Sequence, residues 1–243
     1  IIDFVLNNFI NSGFFKIKVL TQYKSDSLNK HITRGWALSP FLNQYVDLAP
    51  AQMRTGLDWY RGTADAIYQN VFHITDEDPD YVCIFGGDHI YKMDYSKMLT
   101  EHVLNNADCT IAVIDVDEKE ASRFGIMSFG EDNRITEFEE KPANPKSNHA
   151  SMGVYIFKKD VLVEELKRDE SDKNSQNDFG KNIIPYMLKA GKRMFAYAFS
   201  GYWKDVGTVR SLWEANMDLL GGNPRLNLND QDMKIYSRNE PLP

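Results

Sequence analysis

Apolar positions recur along this chain with two different periods. Ile2, Leu6, Phe9 and Ile10 share one face at helical spacing, so residues 2–12 are expected to form a helix that Gly13 closes. Lys16 to Leu20 (KIKVL) reads as a strand. Residues 25–34 read as a short helix with Ser25 as N-cap, 44–48 as a strand, and 62–74 as a helix opened by Thr63. The apolar run Tyr81 to Phe85 (YVCIF) predicts a buried strand, followed by a helix over 94–105 and a strand over 109–116. This alternation predicts an α/β fold with a mostly parallel sheet. The period then changes. Residues 125–129 and 134–140 alternate on either side of Gly130-Glu131-Asp132-Asn133, which predicts a hairpin and makes the sheet mixed. A strand over 151–157 and a helix over 160–168 come next, then a polar run, 169–178, with little reason to be rigid. A helix (180–190), a strand (193–199) and a last helix (208–220) complete the pattern, and the chain after Gly221-Gly222 looks extended. No internal repeat and no second core of comparable size is visible, so residues 1–220 are expected to form one α/β domain and 221–243 a linker.

Composition narrows the classes. The 243 residues are 42% hydrophobic and 26% charged, the balance of an ordinary globular chain long enough for a sizeable core. The net charge of −7 gives no basic footprint for nucleic acid, although local Lys, Arg or backbone N–H groups still suit phosphates. No apolar run approaches the roughly 18–20 residues that cross a bilayer, and the opening IIDFVLNN lacks the basic start of a signal peptide. Cys83 and Cys109 each lie in an apolar strand pattern and read as buried thiols of a cytoplasmic protein. The chain opens on Ile in mid-pattern and ends on IYSRNEPLP, and is expected to be a fragment.

Four segments carry candidate chemistry. YVCIFGGD ends a strand on two glycines and Asp88, the place where ligands bind in open α/β sheets. Because DHIYKMDY leads into a helical pattern, Asp88 is expected in a strand-to-helix turn, and taken alone it reads first as a capping residue. Tyr202 to Thr208 (YWKDVGT) again sets an acid, Asp205, beside a glycine ahead of a helix. Two such carboxylates suit one Mg²⁺ shared with substrate phosphates, and equally suit two helix caps. In Glu139-Glu140-Lys141-Pro142, the proline is expected to hold Lys141 extended. There its ammonium could neutralise a phosphate while Glu140 accepts from sugar hydroxyls; a charged edge strand is the plainer reading. Trp59 to Ala66 (WYRGTADA) puts Gly62 and small residues at a helix start, which suits either an anion or close packing. Gln22, after the first strand, offers an amide for a base edge. The five histidines show no ligand spacing, and no Ser-His-Asp or Cys-X-X-Cys arrangement is present.

As a set, IIDFVLNNFINSG, TQYKSDSLNKHI, WYRGTADAIYQN, GGDHIYKMDY, ASRFGIM, FEEKP, ASMGVYIF, DFGKNIIP and YWKDVGT resemble the bacterial ADP-glucose pyrophosphorylases, or glucose-1-phosphate adenylyltransferases. The likeness runs through nearly the whole chain. It implies a three-layer α/β/α, Rossmann-like nucleotidyltransferase domain over 1–220. It implies a Mg²⁺-dependent reaction of ATP with glucose 1-phosphate, giving ADP-glucose and pyrophosphate for glycogen synthesis. By resemblance Asp88 and Asp205 hold the metal. Tyr60, Gly125, Glu140, Lys141 and Ser151 match glucose-1-phosphate positions, with Trp203 lining the pocket. Gln22, Gly62, Thr63 and Asp88 match the nucleotide side. The resemblance further implies a Gly-rich phosphate loop upstream of Ile1, a β-helix domain downstream, allosteric control and a homotetramer. The fragment alone is therefore expected to turn over poorly. The rival expectations are a transferase using UTP or dTTP, a catalytically silent regulatory subunit of the same fold, and a simple carbohydrate- or nucleotide-binding module.

Overall fold

The computed structural model describes residues 1–52 and 59–237. The last six positions of the expected linker, 238–243, lie outside the described residues. In chain order the elements are α1 (Ile2–Asn11), β1 (Lys16–Thr21), α2 (Asp26–Gly35), β2 (Tyr45–Pro50), α3 (Thr63–Gln69), α4 (Val71–Glu77) and β3 (Tyr81–Phe85). Then follow β4 (His89–Tyr91), α5 (Tyr95–Leu104), β5 (Cys109–Asp115), α6 (Glu118–Ala121), β6 (Gly125–Phe129) and β7 (Ile135–Glu140). The chain closes with β8 (His149–Lys158), α7 (Lys159–Ser171), α8 (Ile184–Lys189), β9 (Met194–Ala198), β10 (Trp203–Asp205) and α9 (Val209–Asp218).

These elements form two compact units: residues 1–50, 86–96 and 200–243 in the first, 51–85 and 97–199 in the second. The boundary cuts YVCIFGGD after Phe85. Because the units interleave along the chain, periodicity alone shows no break between them.

In the second unit a six-stranded sheet runs in the order β7-β6-β8-β5-β9, with β3 also on β8. β8 is antiparallel to β3, β5 and β6, and β9 is parallel to β5. Strands β3, β5, β6 and β9 therefore run one way and β7 and β8 the other. The mixed sheet is as expected. The strands are mostly parallel in direction, yet β5–β9 is the one parallel ladder of this sheet among the described residues, because β8 inserts between like-directed strands. Alternation along β5 sends Cys109, Ile111 and Val113 into one cluster with Leu162 and Leu166 of α7, Ala64 of α3 and Ile184 and Met187 of α8. The intervening Thr110 faces α5, where its hydroxyl lies 2.8 Å from His102 Nδ1. Helices thus cover both faces, a helix–sheet–helix layering. Both cysteines are free thiols.

In the first unit β1 and β2 pair in parallel, and their apolar residues Ile17 and Val46 pack with Leu6 of α1 and Ile32 of α2. Buried polar groups of α1 organise the rest. Asp3 Oδ1 accepts from Trp36 Nε1 (2.8 Å) and lies 2.7 Å from His31 Nε2, while its Oδ2 accepts from Ser237 Oγ (2.8 Å). Hydrogen bonds from these partners hold the Asp3 carboxyl below its ordinary range, against the opposing effect of burial. Asn7 Nδ2 donates to the Tyr236 carbonyl (2.7 Å) and its Oδ1 accepts from the Tyr236 N–H (2.8 Å), so the described end of the linker lies along α1.

Four local expectations need correction. The helix expected over 62–74 breaks at Asn70, whose amide donates to the Ala66 carbonyl and to Tyr60 Oη, both at 2.9 Å, competing with the helical ladder. The helix expected over 180–190 begins as a π-helical turn, Phe179–Ile183, before α8. Ser25 caps α2 through its backbone position with no side-chain capping hydrogen bond; its hydroxyl accepts instead from Asn29 Nδ2 (3.4 Å). The 169–178 run is not loose: Asp169, 2% exposed, accepts from Ser175 Oγ (2.7 Å) and Asn177 Nδ2 (3.3 Å) and folds the segment around itself.

Candidate active site

Asp88 does not sit in a strand-to-helix turn. It immediately precedes β4, a three-residue strand that pairs antiparallel with β10, matching His89 with Asp205 and Tyr91 with Trp203. Three-residue strands this short leave little periodicity to read, which is why the sequence pattern missed them. The ladder extends one bond further, as Val206 N–H donates to the Asp88 carbonyl (3.1 Å). Asp88 and Asp205 thus flank one strand pair, on main chains roughly 5 Å apart. Neither caps a helix. Thr208 caps α9 through a reciprocal capping box with Ser211, and Asp205 Oδ1 accepts from the Gly207 N–H (2.7 Å). The Asp88 carboxylate is 62% exposed, 3.5 Å from His89 Nε2. The His89 ring in turn meets Trp203 edge-on, with centroids 5.3 Å apart. Gln22 is exposed directly after β1. All five residues belong to the first unit.

The sugar-phosphate candidates lie in the second unit. β7 is the edge strand, as the plainer reading of EEKP required, with Glu137 and Glu139 exposed. Glu140 is different: it lies over Gly125 and Gly180, where an added Cβ would come within 2.8 Å and 2.4 Å of its Oε2. Only glycine admits the carboxylate at these two positions. Burial raises the Glu140 carboxyl above its ordinary range; Lys141 opposes this and Asp178 adds to it. Lys141 departs from expectation. Despite Pro142 it adopts φ +49°, a left-handed conformation rare for a side chain of this kind. Its N–H still donates to the Phe124 carbonyl (3.0 Å), so the hairpin ladder holds the turn closed. Its ammonium is 62% exposed, 3.7 Å from Glu140 Oε1. Strain held by surrounding structure is a common property of functional positions.

Ser151 is buried on β8 opposite Val113, and its hydroxyl accepts from the Gly153 N–H (3.3 Å). Tyr60 is half-buried, its hydroxyl accepting from Asn70. Gly62 and Thr63 start α3 against the 176–179 segment: Ala64 N–H donates to the Asn177 carbonyl (2.8 Å), and Thr63 Oγ1 donates to Asp178 Oδ2 and accepts from Phe179 N–H, both at 3.2 Å. Sequence reasoning gave Asp178 and Gly180 no individual role. Their signal was the DFG triplet between a polar run and a helix, and the π-helical turn that it opens is a feature common at functional sites.

Among the described residues no three His, Cys, Asp or Glu side chains gather as a metal cluster, and no helix is long and apolar enough to cross a membrane. Two carboxylates at one end of a strand pair are hard oxygen donors, so the chemistry of Asp88 and Asp205 suits a divalent cation whose shell water and phosphate oxygens complete.

The chain is 57% identical to the glucose-1-phosphate adenylyltransferase of Clostridium perfringens strain 13, over all of this chain and 62% of that protein. It is 56% identical to the protein of the same name from Clostridium botulinum strain Alaska E43, over 100% of this chain and 64% of that one. It is likewise 56% identical to that of Desulforamulus reducens, over 98% of this chain and 60% of that one. The chain therefore spans about three fifths of the length of these curated relatives. The pattern of the nucleotidyl transferase family matches residues 1–222, the span that carries both carboxylate strands, the glycine-lined Glu140 and the whole six-stranded sheet, and the chain belongs to that family.

Proposed function

We propose that this chain is the nucleotidyltransferase part of a glucose-1-phosphate adenylyltransferase, which joins ATP and glucose 1-phosphate into ADP-glucose with release of pyrophosphate, for glycogen synthesis. The observation that supports the reading is the β4–β10 pairing, which brings Asp88 and Asp205 to the same end of one strand pair, diagonal to each other, although they are far apart in sequence. The names of the relatives supply the substrates.

The chemistry asks little of the protein beyond placement and charge. An oxygen of the sugar phosphate attacks the α-phosphorus of ATP in line, the bond to the bridging oxygen breaks, and pyrophosphate leaves with that electron pair. The nucleophile is already an anion, so no general base is needed, and none stands out among the candidates. Asp88 and Asp205 would hold Mg²⁺, which when bound neutralises charge on the phosphoryl oxygens. Glu140 accepts from sugar hydroxyls, and its glycine-lined seat fixes where that acceptor stands. Lys141 carries an exposed ammonium to the sugar phosphate, with its backbone held by the hairpin. Tyr60 and Ser151 complete the sugar-phosphate side, and Trp203, against His89, offers an apolar wall. Gln22 and the Gly62–Thr63 turn are assigned to the nucleotide. That turn is already closed on the 176–179 segment, so its share is main-chain shape rather than a free hydroxyl. A homotetramer and a cytoplasmic setting belong to the same proposal.

The test is pyrophosphate release by the full-length protein that carries this chain. Asp88→Asn and Asp205→Asn are each expected to lower kcat by roughly 10²-fold or more, and a chelator to abolish turnover until Mg²⁺ is restored. Preference for UTP or dTTP over ATP would overturn the substrate assignment. An unchanged rate in Asp88→Asn would point to a non-catalytic role for Asp88.

A further inference from the structure

We propose that Asp169 is a positioning residue for the sugar-phosphate pocket, acting through Asn177 and the Asp178–Gly180 turn on Glu140; this rests on the functional reading given above. Asp169 stands in the last turn of α7 and is 2% exposed. Among the described residues no Lys, Arg or His comes within ion-pair distance of it, so its acceptors are met by neutral donors: Ser175 Oγ at 2.7 Å and Asn177 Nδ2 at 3.3 Å. A buried carboxylate without a cation is costly and a poor way to gain stability. What it secures here is geometry.

Ser175 Oγ, while donating to Asp169, accepts from the Asn177 N–H (2.9 Å). Asn177, 7% exposed, is thereby gripped through both its backbone and its side chain, in a left-handed conformation with φ +54°. That conformation turns the Asn177 carbonyl onto α3, where it accepts from the Ala64 N–H (2.8 Å). The approach is so close that a Cβ on Gly62 would stand 2.4 Å from the same carbonyl oxygen. The next residue, Asp178, accepts from Thr63 Oγ1 (3.2 Å) and, on its other oxygen, from the Lys181 N–H (3.0 Å). Two residues further, Gly180 provides the open space beside the Glu140 carboxylate. Asp169 is thus the fixed end of a short chain of contacts that terminates at Glu140, and every link lies within the second unit. It does not touch the expected position of the sugar; releasing it frees the turn on which Glu140 rests.

The experiment compares substrate constants in the full-length protein. Asp169→Ala is expected to raise KM and Kd for glucose 1-phosphate by about tenfold or more, since misplacing a binding group by about 1 Å is enough to cost that much. The KM for ATP should rise less, because the sugar loses its acceptor Glu140, whereas the Gly62–Thr63 turn assigned to the nucleotide keeps its Thr63 contacts with Asp178 and Phe179 when Asn177 loosens. The reciprocal pair Asp169→Asn with Asn177→Asp exchanges acceptor and donor, and should recover most of what Asp169→Asn alone loses. A general loss of folded protein would lower Vmax and leave both substrate constants in place, and would not be rescued by the exchange. The proposal is overturned if Asp169→Ala leaves the glucose-1-phosphate constants within twofold, if both substrates weaken equally, or if the exchange recovers nothing. Should Asp169→Ala fail to fold, Ser175→Ala removes only a hydroxyl and is expected to shift the sugar-phosphate KM in the same direction by about threefold; no shift overturns the proposal. Unmodified protein that binds no glucose 1-phosphate overturns the functional reading itself, whereas normal binding with an indifferent variant overturns the role of Asp169 alone.

Discussion

Replacing Gly180 by alanine separates packing from function more cleanly than any other change at the candidate site. An alanine Cβ there would stand 2.4 Å from Glu140 Oε2 and 2.8 Å from Glu140 Cδ, where ordinary contact begins at 3.4 Å. The shortfall is 3.4 − 2.4, or about 1 Å. The obstructing atom is the end of a side chain rather than backbone, so Glu140 yields and the fold survives, with a stability cost at the low end of the roughly 1–3 kcal/mol typical of overpacking. The functional cost is larger. A hydrogen bond of about 2.8 Å to a sugar hydroxyl becomes about 3.8 Å, which is no longer a hydrogen bond. Losing one to a charged acceptor costs about 1.5–3 kcal/mol, or roughly 10- to 150-fold in affinity. Titration calorimetry of Gly180→Ala with glucose 1-phosphate is expected to show that weakening, with ATP affinity within about twofold and a Tm within a few degrees of the unmodified protein. Unchanged glucose-1-phosphate affinity in a folded Gly180→Ala protein would refute the argument that Glu140 is seated by its glycines to meet the sugar.

Other expectations follow from groups away from the pocket. Burial, with Lys158 nearby, pushes the His102 pKa down to about 4, so the folded protein holds this histidine neutral while the unfolded chain protonates it near its ordinary 6.5. Its contribution is complete above pH 6.5 and is lost as pH falls toward 4, about 3 kcal/mol in all (2.5 units at 1.36 kcal/mol each). Urea denaturation at pH 7 and pH 4.5 should show a smaller pH dependence in His102→Gln than in the unmodified protein; equal dependence would refute the assignment. Thr208→Ala removes the capping box of α9 and is expected to lower stability by about 1 kcal/mol, read as a shift in denaturation midpoint. Since α9 follows β10 within four residues, any fall in turnover beyond that accompanying the stability loss would show that the cap also holds Asp205 in place.

The long periodic elements were legible in sequence because burial of one face imposes a repeat. The α1 helix, the β6–β7 hairpin and strands β5, β8 and β9 all lie within a few residues of where their patterns put them. What escaped is what repeats cannot encode. β4 and β10 are three residues each and exist because they pair with one another across a long stretch of intervening chain. The break at Asn70 comes from one side-chain amide that finds two local acceptors. The left-handed Lys141 overrides the local preference that Pro142 sets, because the Phe124 carbonyl fixes its N–H. The order in 169–178 comes from a single buried acid within a run whose composition is that of a loose loop. The candidate residues themselves were read by resemblance. Their division between two units and the glycine seat of Glu140 became visible only in three dimensions.

The β4–β10 pair has a consequence for how the protein comes into being. Asp88 and Asp205 are 205 − 88 = 117 residues apart, so the second arrives roughly 6–23 s after the first at ~5–20 residues synthesised per second. The six strands of the larger sheet are complete once residue 198 has emerged, before either member of the carboxylate pair has its partner. A nascent chain can therefore acquire its main core while still lacking the paired acids, and on the proposed reading it would consume no ATP on the ribosome. Termination between residues 198 and 205 would leave a product with all six strands of the larger sheet but without Asp205, and on the proposed reading without means of catalysis.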